Sequence, residues 1–241
     1  MTAVPPLPAP KPPGHSARLP YLPALDGLRA LAVIAVLIYH AGLRWMPGGF
    51  LGVAIFFTIS GYLITSLLLA EWRETGRIVL KHFWLRRARR LLPALFAVII
   101  LVLAYAVLFL PEEVAGLRGD AAAAFGYSTN WYLIFSHKSY FETVGRPSML
   151  RHLWSLAVEE QFYVLWPLAF VLAMRRWRES RVLAGVLVVA LASAILMGLL
   201  YQPDMDPSRV YYGTDTRAAD ILIGVALAFV WAPGRSDGPG A

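Results

Sequence analysis

The chain has 241 residues and contains no cysteine. Disulfide bonds, thiolate metal sites and cysteine nucleophiles are therefore excluded, so any chemistry must come from other side chains. Charge is also scarce, because Asp, Glu, Lys and Arg make up 15% of the residues while hydrophobic residues make up 58%. This composition argues against a soluble globular domain and indicates a membrane protein.

The sequence also lacks the motifs of soluble enzymes. It has no zinc-ligand spacing, no nucleophile elbow, no kinase motif set and no phosphate-binding glycine loop. The net charge of +7 does not indicate nucleic-acid binding, since the 22 Lys and Arg residues lie mostly between apolar runs. We therefore expect neither a metal ion nor a nucleic acid as a ligand.

Six apolar runs predict an all-α fold, a polytopic bundle of transmembrane helices. They cover residues 25–43, 50–70, 91–110, 153–174, 182–201 and 221–231. Residues 121–135 are less apolar, and a further crossing there would place the arginines after residue 174 on the outer side. This segment is therefore predicted to be re-entrant or interfacial, and the membrane domain to cover residues 24–231.

Both ends of the chain differ from the membrane domain in composition. Residues 1–23 hold eight of the 17 prolines and predict a disordered tail, and residues 232–241 predict a flexible tail. Seven Lys and Arg residues lie within 71–90 and four within 175–181. Because cytoplasmic loops collect positive charge, both segments and the amino terminus are predicted to be cytoplasmic.

The first predicted span carries Asp26, Arg29 and His40. Arg29 and His40 are eleven residues apart, about three helical turns, so they share a face at a separation of about 16 Å along the axis. Asp26 is placed to pair with Arg29. Two interpretations fit this spacing equally well. The residues have a functional role, or the side chains of Arg29 and His40 simply reach to opposite membrane interfaces.

The fourth predicted span begins with another group of polar residues. His152, Ser155 and Glu159 lie on one helical face, and Glu160 lies about 100° away. Two adjacent glutamates in an apolar helix need a partner or a wet cavity. A functional site is favoured over a Glu–Arg pair that only sets the register of the bundle.

Two further candidates contain arginine. The stretch 81–93 is interpreted as a loop, and it holds Arg86, Arg87, Arg89 and Arg90 just before the third span. Such clusters most often set topology and contact anionic lipids, and the alternative is binding of a phosphorylated ligand. Arg217, in the string TDTRAAD before the last span, is a weaker candidate.

Five strings of the sequence are similar to one known family. They are, in chain order, LDGLRALAVIAVLIYH, GGFLGVAIFFTISGYLIT, FWLRRARRLLPA, HLWSLAVEEQFYVLWP and TDTRAADILIG. Over residues 21–231 they resemble acyltransferase family 3, the integral membrane O-acyltransferases of bacteria. The resemblance implies an inner-membrane enzyme that moves an acyl group, most often acetyl, from cytoplasmic acyl-CoA to a hydroxyl of an extracytoplasmic glycan or small molecule. It implies no metal and no bound cofactor, contact with membrane lipids, and it allows a homo-oligomer.

The resemblance also assigns roles to the candidate residues. It makes His40 catalytic, with Glu159 or Glu160 to orient it or stabilise the imidazolium. The phosphates of acyl-CoA are expected at the arginine cluster, and the pantetheine arm is expected to reach past Arg29 towards His40. The substrate-binding candidates are Asp26, Arg29, Arg86, Arg87, Arg89, Arg90, His152, Ser155 and Arg217.

Two features depart from the family pattern. Ala54 stands in GVAIFF where the family usually has an acidic residue, and the chain has fewer spans than family members usually have. The second feature predicts a chain shortened at its carboxyl terminus. Two other functions therefore stay open: an inactive homologue that acts as a membrane scaffold, and a transporter or proton relay, which also needs charged residues in spans.

Overall fold

The structure is a computed structural model that describes residues 22–43, 45–141 and 146–231. This part of the chain forms helices and turns without a β-strand, which confirms the predicted fold class. The predicted tails lie outside the described residues, except that Leu22 and Pro23 lead into the first helix. In chain order the α-helices are α1 (Pro23–His40), α2 (Gly52–Thr75), α3 (Leu80–Phe109), α4 (Val114–Phe125), α5 (Thr129–Phe135), α6 (Leu153–Arg176), α7 (Glu179–Leu200), α8 (Ser208–Tyr212) and α9 (Thr214–Val230).

Each of the six predicted spans corresponds to a helix. Of the described helices, α1, α2, α3, α6 and α7 are long and apolar enough to cross a membrane. The sixth, α9, has 17 residues because it begins at Thr214 rather than at residue 221. At about 1.5 Å per residue it is about 25 Å long, and it packs between α2 and α7.

The segment predicted to be re-entrant or interfacial forms two short helices. α4 has 12 residues and α5 has 7, so neither is long enough to cross a bilayer. The fully buried Asn130 donates hydrogen bonds to the Tyr212 carbonyl and the Thr214 hydroxyl, at 3.1 and 2.9 Å. Gln161 donates to Asn130 at 3.0 Å and accepts from Thr214 at 2.6 Å. This polar network ties α5 to α6 and α9.

Glycines bring the backbones of α2 and α9 into contact inside the bundle. At Gly61 an added Cβ atom would collide with the carbonyl group of Ile221, and at Gly224 it would collide with the carbonyl group of Thr58. Gly52 packs against α1 in the same way. Close helix approach is the usual role of small residues in membrane spans.

The interpretation of residues 81–93 as a loop is wrong. They belong to α3, which begins at Leu80 and continues through Pro93. Arginine, alanine and leucine all favour helix, and Pro93 removes only one backbone hydrogen bond. Helical geometry turns Arg87 into the bundle, where it is half-buried. The arginines on the exposed face are Arg86, Arg89 and Arg90.

The helices run alternately up and down, so their termini gather at two ends of the bundle. His40 at the end of α1 and the start of α6 define what we call the His40 end. The α2–α3 and α6–α7 junctions define what we call the arginine end. There Arg73 donates two hydrogen bonds to Glu179, at 3.0 and 2.6 Å.

Large apolar side chains cover the outside of the bundle. Leu31 of α1, Leu108 of α3 and Val188 of α7 are 63%, 72% and 66% exposed. Such surfaces are unfavourable in water and match the hydrocarbon of a bilayer. The chain is therefore a multi-pass membrane protein.

Candidate active site

His40 is the last residue of α1, and both of its ring nitrogens have partners. Nδ1 lies 2.8 Å from the main-chain carbonyl oxygen of Val36, one turn earlier. Because a carbonyl oxygen can only accept, Nδ1 carries a hydrogen and donates it. In the neutral imidazole Nε2 then has the free lone pair, and it accepts a hydrogen bond from the Tyr140 hydroxyl at 3.1 Å. The site therefore presents Nε2 as a base.

Tyr140 is a site residue that the sequence interpretation missed. It lies between α5 and α6, in a stretch without helical or strand periodicity, and it is buried. Its backbone N–H donates to the Ser208 hydroxyl at 2.7 Å, and its ring packs against Trp154 and Tyr211. Burial raises the pKa of Tyr140, so the phenol stays protonated at neutral pH and can donate to His40.

His152 stands beside His40, with the two ring centroids 4.7 Å apart. Although His152 reaches the surface, the protein atoms packed around it lower its pKa to about 4, and His40 and Arg151 act in the same direction. His152 therefore stays neutral at physiological pH and does not compete with a neighbouring base for protons.

A cavity of about 300 Å³ lies between α1, α2 and α6. Val33 is one turn beyond Arg29, and Val36 is one turn before His40, so the cavity occupies the interval between those two site residues along α1. The lining is mostly apolar, with one hydroxyl and one carboxylate. It consists of Val33, Val36, Leu37, Val53, Phe56, Phe57, Ser155, Leu156 and Glu159.

Glu159 lies two turns, about 10 Å, further along α6 than His152. Its carboxylate accepts hydrogen bonds from the hydroxyl groups of Ser60 at 2.6 Å and Tyr163 at 3.3 Å. The Arg87 guanidinium lies over the Tyr163 ring, 4.0 Å from its centroid. The structure therefore brings Glu159 together with Arg87 from the arginine cluster.

Neither glutamate hydrogen-bonds to His40 within the described part of the chain, so the expected contact of Glu159 or Glu160 with His40 is not seen. Val36 and Tyr140 already hold both ring nitrogens. Glu159 lies too deep in the bundle, and Glu160 lies about 100° round the helix from it. One carboxylate oxygen of Glu160 is buried without a hydrogen-bond partner among the described residues. Helical spacing predicts on which face of α6 each glutamate lies, but it does not predict which residue of another helix the glutamate contacts.

Arg29 and Arg87 have unused hydrogen-bonding capacity inside the bundle. The Nε atom of each is buried and has no hydrogen-bond partner in the described part of the chain. Asp26 is exposed, and the expected Asp26–Arg29 pair does not form between these two described residues. Both arginines can therefore give further hydrogen bonds to a ligand.

The other arginines of the cluster lie away from the cavity. Arg86, Arg89 and Arg90 are exposed at the arginine end, where the nearest approach of Arg86 to Glu71 is 4.0 Å. Within residues 22–43, 45–141 and 146–231, no three His, Asp or Glu side chains come together as metal ligands.

Arg217 binds groups of the protein itself rather than facing the cavity. Its Nε donates to the Tyr211 carbonyl at 3.0 Å, and Nη1 donates to Asp220 at 3.1 Å. Its guanidinium also lies over the Tyr211 ring, at 4.6 Å. Because Tyr211 packs on Tyr140, Arg217 supports the wall of aromatic side chains behind His40.

Comparison with known proteins matches the same residues to one family. The family model described as an acyltransferase domain matches residues 22–232. The chain belongs to this acyltransferase family. The match confirms the resemblance seen in the motifs and covers every described helix.

Curated relatives match the acyltransferase domain over the same length. The chain is 55% identical over 213 residues to the peptidoglycan O-acetyltransferase OatA of Listeria monocytogenes, and 47% identical over 213 residues to the O-acetyltransferase OatA of Staphylococcus aureus. Each match covers 88% of this chain, and 34% and 35% of the respective relative. The chain thus spans about a third of the length of these relatives. No solved structure matches it.

Proposed function

We propose that this chain transfers an acyl group, most simply acetyl, from acyl-CoA to a hydroxyl group of a glycan on the opposite side of the membrane. The observation that carries the proposal is the cavity between α1, α2 and α6, which occupies the interval between Arg29 and His40 along α1. One relative is named a peptidoglycan O-acetyltransferase and the other an O-acetyltransferase. These names support acetyl as the transferred group and a glycan as the acceptor.

The arginine end suits the phosphate groups of acyl-CoA. Guanidinium groups match phosphate oxygens with two parallel hydrogen bonds. Arg87 and Arg29 offer unused N–H groups between the exposed arginines and the cavity. Acyl-CoA is a co-substrate here, and its extended pantetheine arm would fill the apolar cavity and bring the thioester to His40.

The orientation follows from the distribution of charge. Lys and Arg residues concentrate on the cytoplasmic side of membrane proteins. The arginine end and the amino terminus are then cytoplasmic, the His40 end faces outwards, and the membrane is the inner, cytoplasmic one. This orientation places the donor on the side where acyl-CoA is made.

The transfer at His40 needs one base. Nε2 removes the proton from the acceptor hydroxyl while the hydroxyl oxygen attacks the thioester carbonyl carbon. The carbon–sulfur bond then breaks, and the leaving thiolate takes the proton from Nε2. The Val36 carbonyl accepts from Nδ1–H throughout and so stabilises the imidazolium. The Tyr140 hydroxyl, displaced from Nε2 by the acceptor, is then free to donate to the negative thioester oxygen.

The experiment uses the full chain reconstituted in proteoliposomes, with radiolabelled acetyl-CoA and a soluble N-acetylglucosamine oligosaccharide on opposite sides. Labelled O-acetyl ester is expected only when acetyl-CoA is on the arginine side, as determined by protease accessibility. Arg87→Gln should raise the KM for acetyl-CoA about tenfold, the effect of losing a charged hydrogen bond. Arg178→Gln, at the same end but exposed, should not. Absence of transfer from either side would overturn the proposal and favour a scaffold.

Tyr140→Phe removes one hydrogen bond to His40 and the proposed donor to the thioester oxygen. We expect kcat to fall about 10- to 100-fold with little change in the KM for acetyl-CoA, because the hydroxyl acts near the reacting atoms and not at the donor's phosphates. Tyr201→Phe, which alters an exposed tyrosine beyond α7, is the control. An unchanged kcat in Tyr140→Phe would show that the hydroxyl takes no part.

A further inference from the structure

Arg151 lies next to the candidate active site. Its guanidinium carbon is 5.0 Å from the centroid of the Tyr140 ring, and that centroid is 6.1 Å from the His40 ring. The guanidinium is therefore no more than about 11 Å from the His40 imidazole. Arg151 directly precedes His152, whose ring touches that of His40.

The hydrogen-bonding capacity of Arg151 is largely unused. Within the described part of the chain its guanidinium gives one long hydrogen bond, from Nη1 to the Tyr140 carbonyl at 3.4 Å. Its Nε atom is buried and has no partner among the described residues. A guanidinium offers five N–H donors, so several remain for a ligand.

Two other cations at this end of the bundle have a carboxylate partner. Arg209 pairs with Asp215 at 2.7 Å, and Lys138 pairs with Asp120 at 2.8 Å. Arg151 forms no ion pair with any described carboxylate, although it is partly buried. Among the described residues Arg151 therefore has no counter-ion. Partial burial of an unpaired charge is costly, and an anionic ligand would remove that cost.

We propose that Arg151 binds a carboxylate of the acceptor, so that acidic glycans are preferred over neutral ones. The inference rests on the proposed function, because it takes His40 as the base that activates the acceptor hydroxyl. A guanidinium binds a carboxylate through two parallel hydrogen bonds, which also fixes the orientation of the sugar. The separation of Arg151 from His40 suits a carboxylate and a reacting hydroxyl on the same sugar unit or on adjacent units.

The first test measures binding and does not depend on turnover. The probe is a tetrasaccharide in which N-acetylglucosamine alternates with N-acetylmuramic acid, used as the free acid and as its methyl ester. The full chain is held in nanodiscs of neutral lipid. Wild type is expected to bind the acid at least about tenfold more tightly than the ester, as for a charged bidentate pair.

Variants of Arg151 and Arg146 show whether Arg151 causes the preference for the acid over the ester. Arg151→Gln keeps a planar donor near Tyr140 but removes the charge, so its ratio of acid to ester affinity should fall to about one. Arg151→Lys keeps the charge and should retain part of the ratio. Arg146→Gln, which removes an exposed charge five residues away, should retain all of it. Equal binding of acid and ester by wild type, or an unchanged ratio in Arg151→Gln, would overturn the inference.

Turnover with acetyl-CoA separates this inference from the proposed function. If wild type binds the acid through Arg151 but transfers no acetyl group to it, the carboxylate-binding site at Arg151 stands and the proposed function fails. If wild type acetylates acid and ester with equal kcat/KM, the proposed function stands and the inference fails. Preferential acetylation of the acid that disappears in Arg151→Gln supports both.

Discussion

Replacement of His40 by alanine is expected to lower the rate of acyl transfer by about 10²- to 10⁴-fold, the contribution of a general base. In our proposal His40 alone removes the acceptor proton, and neither glutamate of α6 lies where it could take over. His152 does touch His40, but its low pKa makes it a weak base. It is therefore a poor substitute.

The measurement compares O-acetyl ester formed by wild type and His40→Ala at equal amounts of folded protein. His40 terminates α1 at an exposed position, so its removal should leave the bundle intact, as judged by gel filtration in detergent. His82→Gln alters an exposed histidine on α3 and should keep full activity. More than a tenth of the wild-type rate in His40→Ala would mean that another group acts as the base.

Gly224→Val is expected to prevent normal assembly of the bundle. The added Cβ would collide with the main-chain carbonyl of Thr58, and backbone cannot move aside as a side chain can. Overpacking of a core costs about 1–3 kcal/mol even where side chains can shift, so the cost here lies at or above the top of that range. The change also separates Thr58 from the Asp220 carbonyl, to which its hydroxyl donates at 2.9 Å.

Thermal unfolding in detergent checks this expectation. A loss of about 3 kcal/mol corresponds to a fall in Tm of roughly 10 °C for a chain of this size, and a larger loss would leave no folded protein. Gly185→Val on α7 is the matched control, because nothing lies within 4 Å of its added Cβ. A Tm for Gly224→Val equal to that of the control would show that α2 and α9 do not pack as described.

The sequence predicted the helices well because the bilayer imposes a strong physical constraint. An apolar run flanked by charge has few alternatives to a helix that spans hydrocarbon, and all six runs form helices. The same constraint pointed to His40 and Glu159, since ionisable residues are costly in such runs. The bilayer constraint did not predict that residues 81–93 extend α3, because an arginine-rich loop and an arginine-rich helix end have similar amino-acid compositions.

The partners of the site residues could not be predicted from one sequence. Helical periodicity gives the face that each residue occupies on its own helix, but not which residue of another helix lies beside it. It therefore could not show that Glu159 hydrogen-bonds to Ser60 and Tyr163 rather than to His40. Tyr140 lies outside every periodic segment, and it reaches His40 only because Ser208 and the surrounding aromatic rings hold its backbone and ring. Arg151 was passed over because a charge just before a span is the commonest arrangement in membrane proteins.

The hydrogen bond from His40 to Val36 has a consequence for how this site can evolve. In many enzymes a carboxylate side chain fixes the histidine tautomer, and one substitution there abolishes activity. Here the acceptor is a main-chain carbonyl, which any residue at position 36 supplies. The helical backbone of α1 thus fixes the tautomer of His40. A substitution at residue 36 can change the shape of the cavity while the hydrogen bond to His40 is kept.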